Sequence, residues 1–135
     1  MNDLTNFLWV GLGGFLGANT RFIIVGLSQP ILEKYLTLPL PYGTLLVNVS
    51  GSFLLAFFSV WFSSLINAPT YLKLLLATGF LGSYTTFSTF SVETIALLRI
   101  NLQEGLIYLL LMNTLGLLAA VVGVLIGNQF WQSTY

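Results

Sequence analysis

Four long apolar runs organise this chain, near Leu4 to Leu27, Tyr42 to Leu65, Tyr71 to Leu98 and Leu106 to Gly127, and the links between them carry all four prolines. A helix needs about 20 predominantly apolar residues to cross a hydrocarbon core, so each run is long enough to span a bilayer. The links are short, which predicts an all-α, antiparallel four-helix membrane domain covering residues 1–135 as one unit. The first link, Ser28 to Pro41, holds three prolines and the Glu33-Lys34 pair, and it is expected to contain a short interfacial helix around Ile31 to Tyr35. The second link is Ile66 to Thr70 and the third Arg99 to Gly105.

The third run departs from the pattern. It is longer than a straight crossing requires, and its middle reads GSYTTFSTF from Gly82 to Phe90, in which six of nine residues carry hydroxyls. A break in the helix accounts for both features. Non-helical backbone at membrane depth is tolerated only where protein or water surrounds it, and freed carbonyls are natural cation ligands. The competing reading is an unbroken helix whose hydroxyls bond back to the preceding turn. Phe87 and Phe90 stand at i and i+3 and leave one face of the helix that resumes there. Ring edges are electropositive and attract an anion without offering it a full charge, although two phenylalanines at this spacing also serve as packing.

Small and polar residues add detail, because helices in lipid associate through close packing and interhelical hydrogen bonds. Gly13 and Gly17 have GxxxG spacing, and Asn113, Gly116, Ala120, Gly123 and Gly127 line one face of the last run. Packing within the chain and a dimer seam both fit such spacing. Asn48 lies about six residues into the second run with Ser52 one turn further on, either as an interhelical hydrogen-bonding residue or as a pore-lining donor. Arg21, toward the end of the first run, is either an interfacial anchor or part of a site.

Composition narrows the classes. With 56% apolar and 6% charged residues and a mean hydropathy of +0.92, the chain belongs in lipid. Cysteine and histidine are absent, which excludes thiol chemistry and the usual zinc ligands. Without paired carboxylates at workable spacing, catalysis is not expected. The four scattered cations, Arg21, Lys34, Lys73 and Arg99, cannot form a nucleic-acid surface. No Lys or Arg precedes the first run and no small-residue cleavage site ends it, so a removable signal peptide is not expected. Loop charges nearly cancel between the two orientations, which leaves insertion both ways up open or makes the charge rule uninformative.

Three motifs, GGFLGANTRF (Gly13 to Phe22), GTLLVNVSGSF (Gly43 to Phe53) and GSYTTFSTFSVE (Gly82 to Glu93), resemble those of the Fluc/CrcB fluoride channels, and the resemblance covers essentially the whole chain. It implies a passive, fluoride-selective channel in the bacterial cell membrane that lowers cytoplasmic fluoride. It also implies a dual-topology dimer of oppositely inserted subunits, formed with itself or with a homologous chain. By position, Phe87 and Phe90 resemble the aromatic residues of the fluoride path, Asn48 their polar partner and Arg21 the vestibule arginine. Gly82 and Thr85 match positions whose backbone carbonyls, from both subunits, would hold a structural sodium ion. Ser83 departs from a more usual glycine. Glu93 is left outside the core site, and Tyr108, Asn113 and Thr114 are assigned no role. Two other readings remain: a proton-coupled exporter of cations using Glu93, and a non-transporting packing subunit.

Overall fold

A computed structural model describes residues 3–65 and 68–132 of the protein. Helix α1 (Asp3–Tyr35) is followed by α2 (Tyr42–Ser64). The third crossing is made in pieces: one turn, α3 (Thr70–Leu72), a π-helical stretch (Lys73–Leu81), a further turn, α4 (Gly82–Tyr84), and then α5 (Phe87–Ile100). Helix α6 (Leu102–Gln132) completes the bundle. Among the described residues, α1, α2 and Leu102–Phe130 are each long and apolar enough to cross a membrane unaided. The interruption predicted in the third run is present at Thr85 and Thr86, so the unbroken-helix reading is set aside.

Two links differ from expectation. The separate interfacial helix around Ile31 to Tyr35 does not form; α1 runs through Pro30 to Tyr35. Proline removes one helical donor, but Gln29 ties both sides of the site together. Its Nε2 donates to Glu33 Oε1 at 2.7 Å and to Leu40 O at 2.9 Å, while its Oε1 accepts from Gly43 N at 2.8 Å. One carboxamide thus carries α1 past the proline and fastens the start of α2. The third link, expected over Arg99 to Gly105, shrinks to Asn101. Asn101 Oδ1 accepts from Gln103 N at 3.0 Å, as an N-capping asparagine does, and its Nδ2 donates to Glu104 Oε1 at 2.9 Å. Of the second link, Ile66 and Asn67 lie outside the described residues.

Glycine decides how the helices meet. A Cβ on Gly13 would run into the Leu75 carbonyl and come within 2.8 Å of Phe80 N, one on Gly17 would run into the Phe80 carbonyl, and one on Gly79 would reach 2.7 Å from Val10 O. The GxxxG pair of the first run is therefore an intrachain seam that brings α1 backbone-to-backbone with the π-helical stretch. Ser83 reinforces it by donating to Gly14 O at 2.9 Å, which gives the departure from glycine a packing role. Gly123, which abuts the Phe53 carbonyl, and Gly127, 3.0 Å from Val60 Cβ, seat α6 on α2 in the same way. Leu40, Tyr42, Phe90, Tyr108 and Met112 form one buried cluster, and Val47, Leu81 and Tyr84 a second.

These contacts separate glycines that cannot change from those that can. Gly13→Ala and Gly17→Ala should each destabilise the detergent-solubilised protein by about 1–3 kcal/mol through overpacking. Gly11→Ala and Gly14→Ala, whose added Cβ would meet nothing within 4 Å, should leave the thermal midpoint unchanged or slightly higher.

Candidate functional site

The helix break is built from two extended residues. Thr85 has φ −81° and ψ 158°, and Thr86 has φ −151° and ψ 112°. Thr86 serves as N-cap of α5, its hydroxyl accepting from Thr89 N at 3.2 Å. Its backbone polar groups have left the helical ladder, and Asn48 takes up both. Asn48 Oδ1 accepts from Thr86 N at 2.7 Å and Asn48 Nδ2 donates to Thr86 O at 3.0 Å. The carboxamide supplies one acceptor and one donor where the chain has lost one of each. Gly51 allows this approach, since a Cβ there would collide with the Thr85 methyl and lie 3.2 Å from the Tyr84 ring. Ser50 and Tyr84 add a hydroxyl pair at 2.9 Å.

Beside the break lies a cleft of about 250 Å³ whose walls include Asn48, Ser52, Thr86, Phe87, Phe90, Met112 and Asn113. None of its described lining residues is charged. Phe87 and Phe90 meet edge to face, with ring centroids 5.8 Å apart at 63°. They line the cleft together, as their spacing predicts, but their surroundings differ. Phe90 is buried against Tyr108, centroids 5.7 Å apart, while Phe87 is 79% exposed.

A second cleft, of about 520 Å³, is lined by Arg21, Thr44, Thr86, Thr89 and Glu93 among others. Thr86 belongs to both clefts, so the charged space adjoins the uncharged one across a single residue. Arg21 turns inward, half-buried, with Nη1 3.5 Å from Thr85 O. Glu93 is bonded at both oxygens, to the Thr44 hydroxyl at 2.8 Å and to the Tyr108 hydroxyl at 2.7 Å. Sequence reasoning set Glu93 and Tyr108 aside and did not consider Thr44. A carboxylate at membrane depth one turn beyond Phe90 was a usable signal. A lone threonine in an apolar helix offered none.

The remaining positions differ: Thr85 also lines the uncharged cleft, while Gly82 is outside its lining. Gly82 is exposed, and a Cβ there would meet only Ala77 O, at 3.7 Å. Thr85 turns its hydroxyl back to Leu81 O at 3.0 Å. Asn113, exposed at the rim, donates to Leu109 O at 2.7 Å, and Thr114 is exposed.

Fold and site together define a small multi-pass helical membrane protein with two adjoining clefts where its third crossing is broken. The chain belongs to the family described as CrcB-like protein, Camphor Resistance (CrcB), whose model matches residues 8–124. It is similar to proteins named fluoride-specific ion channel FluC. That of Hydrogenobaculum sp. strain Y04AAS1 is 37% identical over 124 residues, 91% of this chain and 98% of the relative. That of Sulfurovum sp. strain NBC37-1 is 42% identical over 129 residues, 95% and 94% of the two chains. A third, from Methanocaldococcus jannaschii, is 42% identical over 127 residues, 94% and 91%.

The brace has a measurable weight. Asn48→Ala leaves the Thr86 N–H without its partner and should lower stability by about 1–3 kcal/mol. Ser59→Ala, which removes only a local bond to Leu55 O from an exposed side chain, should be close to neutral in the same thermal unfolding measurement.

Proposed function

We propose that the protein is a fluoride-selective passive channel through which fluoride leaves the cytoplasm, as the names of its relatives suggest. The observation that carries this reading is the pairing of an uncharged cleft, walled by Phe87, Phe90 and Asn48, with a neighbouring cleft that holds Arg21. Fluoride is small, strongly hydrated and a good hydrogen-bond acceptor. A path for it must replace water with several moderate contacts and avoid any contact too strong to release. Arg21 at the wider space raises local anion concentration. Amide protons, hydroxyls and electropositive ring edges then take over where a fixed positive charge would trap the ion. No bond is made or broken, and flow follows the gradient and the membrane potential.

The working unit in this reading is an antiparallel pair of oppositely inserted subunits, formed with itself or with a homologous chain. Support comes from the outward side of the break. Phe87, Ser88, Thr89 and Gly82 are all exposed there, and a broken backbone at membrane depth needs protein or water around it. A structural sodium ion fits the same surface: Gly82 and Thr85 offer neutral carbonyl oxygens, the donor type that alkali cations take from unwound helices. The side-chain-free face at Gly82 would admit a partner closely. The nearby Arg21 guanidinium weighs against a cation at Thr85, so the two carbonyls of one chain would need the partner's pair. The exporter alternative required Glu93 to stand free for proton exchange, whereas both of its oxygens are engaged by hydroxyls.

Purified protein reconstituted alone into liposomes should release fluoride down its gradient and carry chloride far more slowly. Changing both Phe87 and Phe90 to isoleucine should reduce fluoride efflux by about fivefold or more, taking each electropositive ring edge to contribute as much as an aromatic pair, about 0.5–1.5 kcal/mol. Equal chloride flux, or undiminished fluoride flux in the double variant, would refute the reading.

A further inference from the structure

The donors of the uncharged cleft are unequal in how firmly they are held. The hydroxyls of Ser52, Thr85 and Thr86 each donate to an oxygen, Asn48 O at 2.8 Å, Leu81 O at 3.0 Å and Thr89 Oγ1 at 2.9 Å. The Asn48 carboxamide is divided. One contact of Nδ2 goes to Thr86 O at 3.0 Å, and the other goes across the cleft to Met112 Sδ at 3.6 Å. A thioether is a weak acceptor, so of the hydrogen bonds these donors make this one is the weakest; Asn113, at the exposed rim, donates to Leu109 O at 2.7 Å. The aim of the second Asn48 proton is nevertheless set. Thr86 grips the carboxamide at Oδ1 and Nδ2, and Met112 is buried in the cluster with Phe90 and Tyr108.

We propose that Met112 is a positioning residue that tunes how tightly the cleft holds its anion. This rests on the fluoride-channel reading. The sulfur holds the second Asn48 proton at the cleft wall, weakly bonded, while no anion is present. An arriving fluoride, a far stronger acceptor, displaces sulfur at little cost, and on departure the proton returns to sulfur without rearrangement of Thr86 or of the break. An oxygen acceptor at this position would compete with the ion, and a hydrocarbon would leave the amide proton to cling to it. The thioether lies between these limits, which suits a conductor that must bind and release.

The test is the concentration dependence of fluoride flux in liposomes for the wild type, Met112→Leu and Met112→Gln, each checked for monodispersity before reconstitution. In Met112→Leu the empty site loses its acceptor, so the half-saturating fluoride concentration should fall about two- to fivefold, with a lower maximal flux. In Met112→Gln the side-chain carbonyl competes, and half-saturation should move upward. A packing defect lowers the active fraction without moving half-saturation, so the direction of the shift isolates the positioning role. Either variant alone decides: no shift, or a shift in the opposite sense, overturns the inference while wild-type flux upholds the channel. Absence of fluoride flux from the wild type would overturn the channel reading and this inference with it.

Discussion

A membrane interior offers no water to a backbone group that leaves its helix, and the structure is arranged around that constraint. The third crossing stops being helical at Thr85 and Thr86, and the Asn48 side chain makes the stop tolerable by bonding the N–H and C=O of Thr86 together. Much else follows from this exchange. Helix α2 must lie close enough to the break for a short side chain to reach it, which Gly51 permits. The chain must restart cleanly, which the Thr86 hydroxyl secures at the N-terminus of α5. The half before the break must also be anchored, and the glycines of α1 hold it there.

The same arrangement separates charge from the narrowest polar surface. Arg21 and Glu93 border the larger cleft, while the smaller one is walled by amide, hydroxyl, aromatic and thioether groups. Each kind of group suits its place. A charge attracts ions over distance but holds them too firmly at contact in a low-dielectric setting, whereas neutral donors give contacts weak enough to be exchanged. Glu93 takes neutral partners: the hydroxyls of Thr44 and Tyr108 occupy its oxygens and tie α2, α5 and α6 together behind Phe90.

Close packing within the chain consumes its glycine seams. Gly13, Gly17 and Gly79 join α1 to the third crossing, and Gly123 and Gly127 join α6 to α2. The outer side of the break stays open, and there the Phe87 ring stands exposed next to Ser88, Thr89 and Gly82. The Ser88 and Thr89 hydroxyls there are bonded to that of Thr86, at 3.3 and 2.9 Å, so the cap of α5 is closed by side chains of its own first turn.

How much of this was legible beforehand depends on the range of the cause. Four apolar runs, the interruption in the third, the shared face of Phe87 and Phe90 and the membrane setting follow from residue order alone, because span length, helical period and the poverty of charge act locally. The C-terminal end of α1 and the link at Asn101 were not legible: they turn on Gln29 reaching Leu40 and Gly43, and on Asn101 capping the next helix. The importance of Glu93 was missed because its partners come from other helices, Thr44 from α2, 49 residues away, and Tyr108 from α6. Tertiary structure alone decided whether Gly13 and Gly17 pack inward or outward, and which partners the Asn48 carboxamide takes. A short polar side chain in lipid bonds to whatever the fold carries within about 3 Å of it, and residue order does not specify that neighbour.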